Sequence, residues 1–347
     1  MHLLKMKMYD LSTLGLGLII VCLHFSTAMP HKVKTTTTPT ELNGSNFTYP
    51  WPVLLYKFNS QNQTLEMAYM DICSTTPNGH TIVLLHGKNF CGATWNQTAI
   101  ALLEAGYRVV IPDQIGFCKS SKPERYQFSL QQLALNTFGL LESIGVNNGL
   151  TVMGHSMGGM LATRFALMYP SNTTELVLVD PLGLEDWKAL GVPYQSIDIT
   201  YVGEHASNYS SIRAYEQSTY YVGNWSAAYD VWVDMLVNIY KGPEGIQYAW
   251  NQALVTDMVL TQPVVYEFSL LKMPTLLIVG DKDTTAIGKA WSPPAVQAKL
   301  GHYDVLGKQV IKMIPDGTLI EFPDLGHAPQ IEAPDRFHAV LLGWLKG

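Results

Sequence analysis

Charge is scarce in this chain of 347 residues: Asp, Glu, Lys and Arg make up 14% of it and balance to a formal net charge of −6. With no basic run and a pI near 5.9, there is no electrostatic footprint for a phosphate backbone, so nucleic acid is not an expected partner. Neither a G-x-G-x-x-G loop nor a Walker loop occurs, and no His, Cys, Asp or Glu cluster has metal-ligand spacing. No metal, nucleotide or other cofactor is therefore expected. Cysteine is scarce too, with 4 in the whole chain, which excludes a scaffold built mainly from disulfides. Long apolar runs are missing as well. The N-terminal run LSTLGLGLIIVCLHF falls short of the ~20 apolar residues that a spanning helix needs.

What is present is 47% hydrophobic residues, enough at this length to bury a large core as one domain or as a domain carrying an insertion. Lys5 and Lys7 precede the N-terminal run, and Ser26-Thr27-Ala28 supplies small residues for a signal peptidase. The pattern favours a signal peptide over 1–28, cut after Ala28, above a membrane anchor, and so a secreted or secretory-lumen chain without stable membrane insertion. Sequons at Asn43, Asn46, Asn62, Asn96, Asn172, Asn208 and Asn224 exceed the roughly two that average composition gives. They suggest a eukaryotic glycoprotein. HKVKTTTTPTELNGSN is polar and low in complexity, and a flexible leader is expected over 29–50. Removal of Cys22 with the signal leaves Cys73, Cys91 and Cys118, so at most one intramolecular disulfide can form. Cys91–Cys118 is the candidate pair, and three buried free thiols are the alternative.

From Trp51 onward, short β-branched runs alternate with helical spacing. VLLYKF and TLEMAYMD read as an opening pair of strands; TIVLLHG, YRVVIPD, GLTVMG and ELVLVD follow, each with a helical pattern behind it. This is the signature of βαβ units and a mostly parallel sheet. The rhythm breaks over 182–271 and resumes with PTLLIVGDKD, GTLIEFPDLGH and the amphipathic PDRFHAVLLGWL. The expected organisation is a core of 51–181 and 272–347 with 182–271 inserted between strands.

VMGHSMGGM sets Ser156 between a strand and a helix. A serine there can be a plain helix N-cap, or the nucleophile of a strained strand-to-helix elbow, where side chains at positions 154 and 158 would clash. A nucleophile needs a base, and the base an orienting carboxylate, in the chain order Ser, acid, His. Asp283 follows the LLIV strand and His327 follows the LIEF strand; His205 lies in the insertion, and His302 and His338 fall in helical stretches. Asp180, at the end of LVLVD, is the alternative acid. His86 and His155 read as braces for nearby loops, and His80 as a surface residue.

LLHG, D-x-x-G-F from Asp113 to Phe117, GHSMGG, GDKD and GHAPQIEAPDRF together resemble the α/β-hydrolase superfamily in its serine-nucleophile, lid-bearing subgroup, over nearly all of the chain from Trp51. The resemblance implies an eight-stranded, mostly parallel sheet with helices on both faces and a helical lid after strand six. It implies Ser156, Asp283 and His327 as the triad, with the backbone N–H groups of Lys88 and Met157 as the oxyanion hole. It departs from the family at Cys118, where a glycine or other small residue is usual. Serine argues against the aspartate-dependent epoxide hydrolases and haloalkane dehalogenases, and the HGGPG and G-x-S-W-G of proline iminopeptidases are absent. The expected reaction is acyl transfer to water from a small or medium apolar ester or lactone. The insertion is rich in Tyr and Trp, and Phe90, Trp187, Tyr220, Trp225 and Trp232 are the expected pocket rings. A carbon–carbon bond hydrolase, despite the loop HGKNFCG in place of HG-x-G-P-G, and a slow-turnover small-molecule receptor are the alternatives.

Overall fold

The central expected strands are short runs rich in Val, Ile, Leu or Thr, which fit a pleated surface buried on both sides. The computed structural model describes residues 41–347; the expected signal segment and the leader up to residue 40 lie outside the described residues. Strands β1 (Leu54–Ser60), β2 (Gln63–Ile72), β3 (Thr81–Leu85), β4 (Arg108–Pro112), β5 (Leu150–His155), β6 (Thr173–Val179), β7 (Thr275–Gly280) and β8 (Gly317–Phe322) form one sheet. Its order is β1-β2-β4-β3-β5-β6-β7-β8. The β1–β2 and β2–β4 pairs are antiparallel, and all later pairs are parallel.

The first connections carry α1 (Asn96–Glu104), α2 (Leu130–Ser143) and α3 (Met157–Met168). Between β6 and β7 lie α4 (Ile197–His205), α5 (Tyr209–Thr219), α6 (Asp230–Tyr240) and α7 (Gly245–Thr261), and the chain ends through α8 (Pro294–Gln297), α9 (Tyr303–Val310), α10 (Pro329–Glu332) and α11 (Pro334–Trp344). No helix of the described residues is long and apolar enough to cross a membrane.

Alternation along the strands sorts the core into two layers, because successive side chains leave opposite faces of a sheet. Val83, Leu85, Val110, Val152, Leu176, Leu178, Leu277 and Val279 pack with α2, α3 and the helices between β6 and β7. Ile82, Leu84, Val109, Ile111, Met153, Val177, Val179, Leu276 and Ile278 pack on the other face, against Trp95, Ala99 and Leu102 of the α1 region and Phe337 and Leu341 of α11. Each fully buried aliphatic side chain contributes about 1.5–3 kcal/mol. The parallel strands all end on one edge, so the residues just past β3, β4, β5, β6, β7 and β8 share it. These are His86–Cys91, Asp113, Ser156, Asp180, Asp283 and His327.

Residues 41–50 correct the expected extent of the leader. Leu42 and Ser45 form a β-bridge, Ser45 is buried, and the Tyr49 hydroxyl donates to Asp113 Oδ2 at 2.5 Å. Lys119 Nζ donates to Ser45 O at 2.9 Å, and Lys122 Nζ to Asn43 O at 2.5 Å and Cys118 O at 2.6 Å. Buried ammonium groups need acceptors, and this segment supplies backbone carbonyls to both lysines. Burial drives the Lys122 ammonium down to about 8.

Candidate active site

Ser156 follows β5 directly and opens α3. Its backbone sits at φ 57°, ψ −124°, a region that non-glycine residues adopt only when the surroundings impose it. The surroundings do so through two close approaches. A Cβ on Gly154 would lie 2.0 Å from Gly158 O, and one on Gly158 would lie 2.2 Å from Leu85 O. The Ser156 side chain makes no cap bond to the helix. Its Oγ instead lies 2.8 Å from His327 Nε2.

His327 Nδ1 lies 2.6 Å from Asp283 Oδ2. With the Nδ1 proton given to that carboxylate, Nε2 is left to accept from the serine hydroxyl. Asp283 is itself held: its N–H donates to Gly280 O at 2.9 Å, and its Oδ1 accepts the Thr285 N–H at 2.8 Å. Ser156, Asp283 and His327 are all buried. Asp180, the other acid considered, has no bond to the imidazole. Its Oδ1 accepts the Gly280 N–H at 2.8 Å, and its Oδ2 has no hydrogen-bond partner among the described residues. Burial first, and the Asp283 charge second, push its carboxyl well above the usual range. Asp180 thus braces the backbone of the turn that carries Asp283 and does not touch the imidazole.

The two histidines expected as braces have that role. His86 Nδ1 donates to Gly87 O at 2.8 Å, while its Nε2 accepts the Gln114 N–H at 3.0 Å. His155 Nε2 donates to His327 O at 2.7 Å. Burial lowers both pKa values, that of His155 well below the ordinary range with the His327 ring as the next cause. Both stay neutral. His80 is exposed, His205 ends α4, His302 stands just before α9, and His338 lies in α11.

After His86 the chain turns tightly, with the Phe90 N–H donating to Gly87 O at 3.2 Å. Lys88 and Asn89 form the tip, and Lys88 Nζ pairs with Glu204 Oε1 of α4 at 2.6 Å. Met157 is the first residue of α3, where leading N–H groups have no intrahelical acceptor. Cys91 and Cys118 are joined by a disulfide, Cα to Cα 5.8 Å, and no cysteine among the described residues is a free thiol. Cys118 adopts φ 45°, which explains why a small residue or glycine suits that position. Sequence reasoning missed the hub behind this loop pair. Asp113 Oδ1 accepts the Gly92 N–H at 2.7 Å and Oδ2 the Lys119 N–H at 3.0 Å, so one carboxylate holds the residue after each cysteine.

The expected pocket rings divide. Tyr220 lies 4.9 Å from the His327 ring and 5.5 Å from Phe90, which is 5.1 Å from His155. Trp225 is half-buried behind them, edge-on to Tyr221 at 5.7 Å, with Arg213 over its face at 4.5 Å. Trp187 and Trp232 are not among the rings packed on His327 or Phe90. Trp187 is a core residue whose indole N–H donates to Glu185 Oε1 at 3.0 Å. Trp232 lines a groove of about 200 Å³ with Phe47, Tyr49, Pro50, Ala93 and Asn96. Aromatic residues of an insertion carry no local mark that separates core from pocket.

Comparison with known proteins identifies the family. Residues 80–334 match the family model described as alpha/beta hydrolase fold. Lipase 1 of Psychrobacter immobilis is 28% identical over 261 residues, 74% of each chain. A 2-hydroxy-6-oxononadienedioate/2-hydroxy-6-oxononatrienedioate hydrolase of Comamonas testosteroni is 26% identical over 273 residues, 77% of this chain and 88% of its own. The crystal structure of a probable hydrolytic enzyme from Pseudomonas aeruginosa superposes with a TM-score of 0.84 at 55% identity, covering 86% of this chain and 95% of that one. With a matched model over most of its length and this relative at that identity, the chain belongs to the alpha/beta hydrolase family.

Proposed function

We propose that this chain is a serine hydrolase that cleaves a small or medium apolar carboxylic ester or lactone through an acyl-enzyme. The observation that carries the reading is the unbroken chain from Ser156 Oγ through His327 to Asp283, at 2.8 Å and 2.6 Å. In this mechanism His327 Nε2 takes the hydroxyl proton as Oγ attacks the carbonyl, while Asp283 fixes the tautomer and stabilises the imidazolium. The Lys88 and Met157 N–H groups stabilise the tetrahedral oxyanion, each worth on the order of 3 kcal/mol of barrier. The imidazolium returns the proton to the leaving alkoxide, and water then repeats the cycle to release the acid.

Residues 182–271 act as a helical lid in this reading. Its support is the contact of Tyr220 with His327 and Phe90 and the ion pair of Glu204 with Lys88. Phe90, Tyr220 and Trp225 line an apolar substrate site. The lipase relative supports an ester substrate, and the Comamonas hydrolase keeps carbon–carbon cleavage as a second reading, against which stands the loop HGKNFCG. The Cys91–Cys118 disulfide supports the secretory route drawn from the N-terminal pattern. The test is a panel of p-nitrophenyl esters, lactones and a vinylogous diketone, with wild type and Ser156→Ala side by side. Ester turnover lost in the variant supports the proposal; diketone turnover alone would replace it with the second reading.

A further inference from the structure

Ester chemistry at this site needs two loops held still relative to each other: the tip at Lys88, after β3, and the turn at His327, after β8. The sheet does not join them, because β5, β6 and β7 stand between β3 and β8. One residue belonging to neither loop bonds to both. Tyr220, at the C-terminal end of α5, accepts the His327 N–H on its carbonyl oxygen at 3.1 Å. Its phenol oxygen accepts Asn89 Nδ2–H at 2.9 Å across 131 residues of chain. The residue is 4% exposed, and burial pushes the phenol well above its ordinary pKa, so it stays a neutral hydroxyl. The carbonyl contact also accounts for Gly326, where a Cβ would lie 2.3 Å from Tyr220 O.

We propose that Tyr220 is a positioning residue that ties the Asn89 loop to the His327 turn, which makes the end of α5 part of the catalytic framework and not only a cover over it. The inference rests on the serine hydrolase reading. Its physical content is specific. The turn from Gly87 to Phe90 is closed by one backbone bond; the Lys88 side chain reaches away to Glu204 of α4, and Asn89 is the tip side chain that anchors the turn to Tyr220. Releasing Asn89 lets the neighbouring Lys88 N–H drift relative to Ser156. Only the transition-state oxyanion needs that N–H in place, so the loss falls on kcat and spares KM.

Tyr220→Phe keeps the ring and its packing but removes the acceptor, and Asn89→Ala removes the donor from the other side. Kinetics on p-nitrophenyl butyrate, scaled to active sites titrated with a p-nitrophenyl phosphonate, read the effect per folded site. Each variant should lower kcat about fivefold, the factor that matches one neutral hydrogen bond, with KM nearly unchanged. The double variant should be no slower than Tyr220→Phe, which loses the Asn89 bond together with the hydroxyl's bond to Tyr215, because Asn89→Ala removes only a bond already lost. Phosphonate inactivation should slow by a similar factor, a readout that needs no natural substrate. Unchanged kcat per site in Tyr220→Phe, or two factors that multiply in the double variant, would overturn the proposal. Should Tyr220→Phe fail to fold, Asn89→Ala at the loop tip carries the test. An active Ser156→Ala would instead defeat the parent reading, so the two failures are distinct.

Discussion

Glu216 offers a quantitative test of the packing over the site. It lies on the face of α5 that also carries Ile212 and Tyr220, spaced by one turn each. It is 0% exposed, and neither carboxyl oxygen has a hydrogen-bond partner among the described residues. Arg213, one turn earlier, stacks over Trp225 at 4.5 Å and bonds Gln217 Oε1 at 3.2 Å instead. Burial alone pushes the carboxyl from 4.5 up to about 8. The sign follows from linkage. Below pH 4.5 the group is protonated in both states and adds no penalty. As pH rises from 4.5 to about 8, the unfolded chain ionises while the folded one must keep its proton, and stability falls by about 1.4 kcal/mol per pH unit. The accumulated loss is about 3 kcal/mol at pH 7 and between ~4 and ~5 kcal/mol above pH 8, where it levels off. Glu216→Gln does not titrate, so its stability relative to wild type should climb over that interval and then flatten. Urea unfolding of both proteins at half-unit pH steps gives the difference directly, and every other titrating group cancels. Parallel curves across the interval would refute the reasoning, because they would mean that Glu216 is ionised in the fold.

Further outcomes follow from the same geometry. Asp283→Asn should lower kcat by a factor on the order of 10⁴, as loss of the tautomer-fixing acid does, whereas Asp180→Asn should leave it nearly unchanged, because a neutral amide oxygen can still accept the Gly280 N–H; the reverse ranking, read by steady-state kinetics, would move the acid to the end of β6. Replacing Cys91 and Cys118 together by Ala opens a loop with a sequence separation of 27, which chain entropy values at ~3.5 kcal/mol, and the urea midpoint should drop accordingly; an unmoved midpoint would contradict it. Gly158→Ala should prevent recovery of soluble, folded protein, since its Cβ would meet a backbone oxygen at 2.2 Å, and a folded variant with wild-type circular dichroism would count against the elbow geometry.

Much of the fold was legible because its signals are local. The β-branched runs, their helical followers and the break over 182–271 each show their periodicity within a few residues. The arrangement of Ser156, Asp283 and His327 at the sheet edge was legible for a related reason: a tight elbow needs small residues on both sides of Ser156, and the chain order of base and acid follows from strand order. What stayed hidden depends on distance in the chain. Asp180 and Asp283 both follow strands, and only the reach of His327 Nδ1 separates them. Residues 41–50 look like the rest of a polar leader, yet their carbonyl groups satisfy two buried lysines, and a carbonyl carries no mark in the sequence. Trp187 and Trp232 look like Trp225 in composition and differ only in what they touch. The pairing of Cys91 with Cys118 was open until their loops were placed side by side.

In the proposed mechanism Ser156, activated by His327, carries a covalent acyl group between the two half-reactions. That acyl group is caught by mixing the protein with a stoichiometric excess of p-nitrophenyl butyrate, quenching in acid within the first turnover, and mapping the digest by mass spectrometry. One butyryl group on the peptide that contains Ser156, present in wild type and absent in Ser156→Ala and His327→Ala, is the predicted result. Ester turnover with no acyl group on that peptide, or an equal yield of the adduct without His327, would contradict the account.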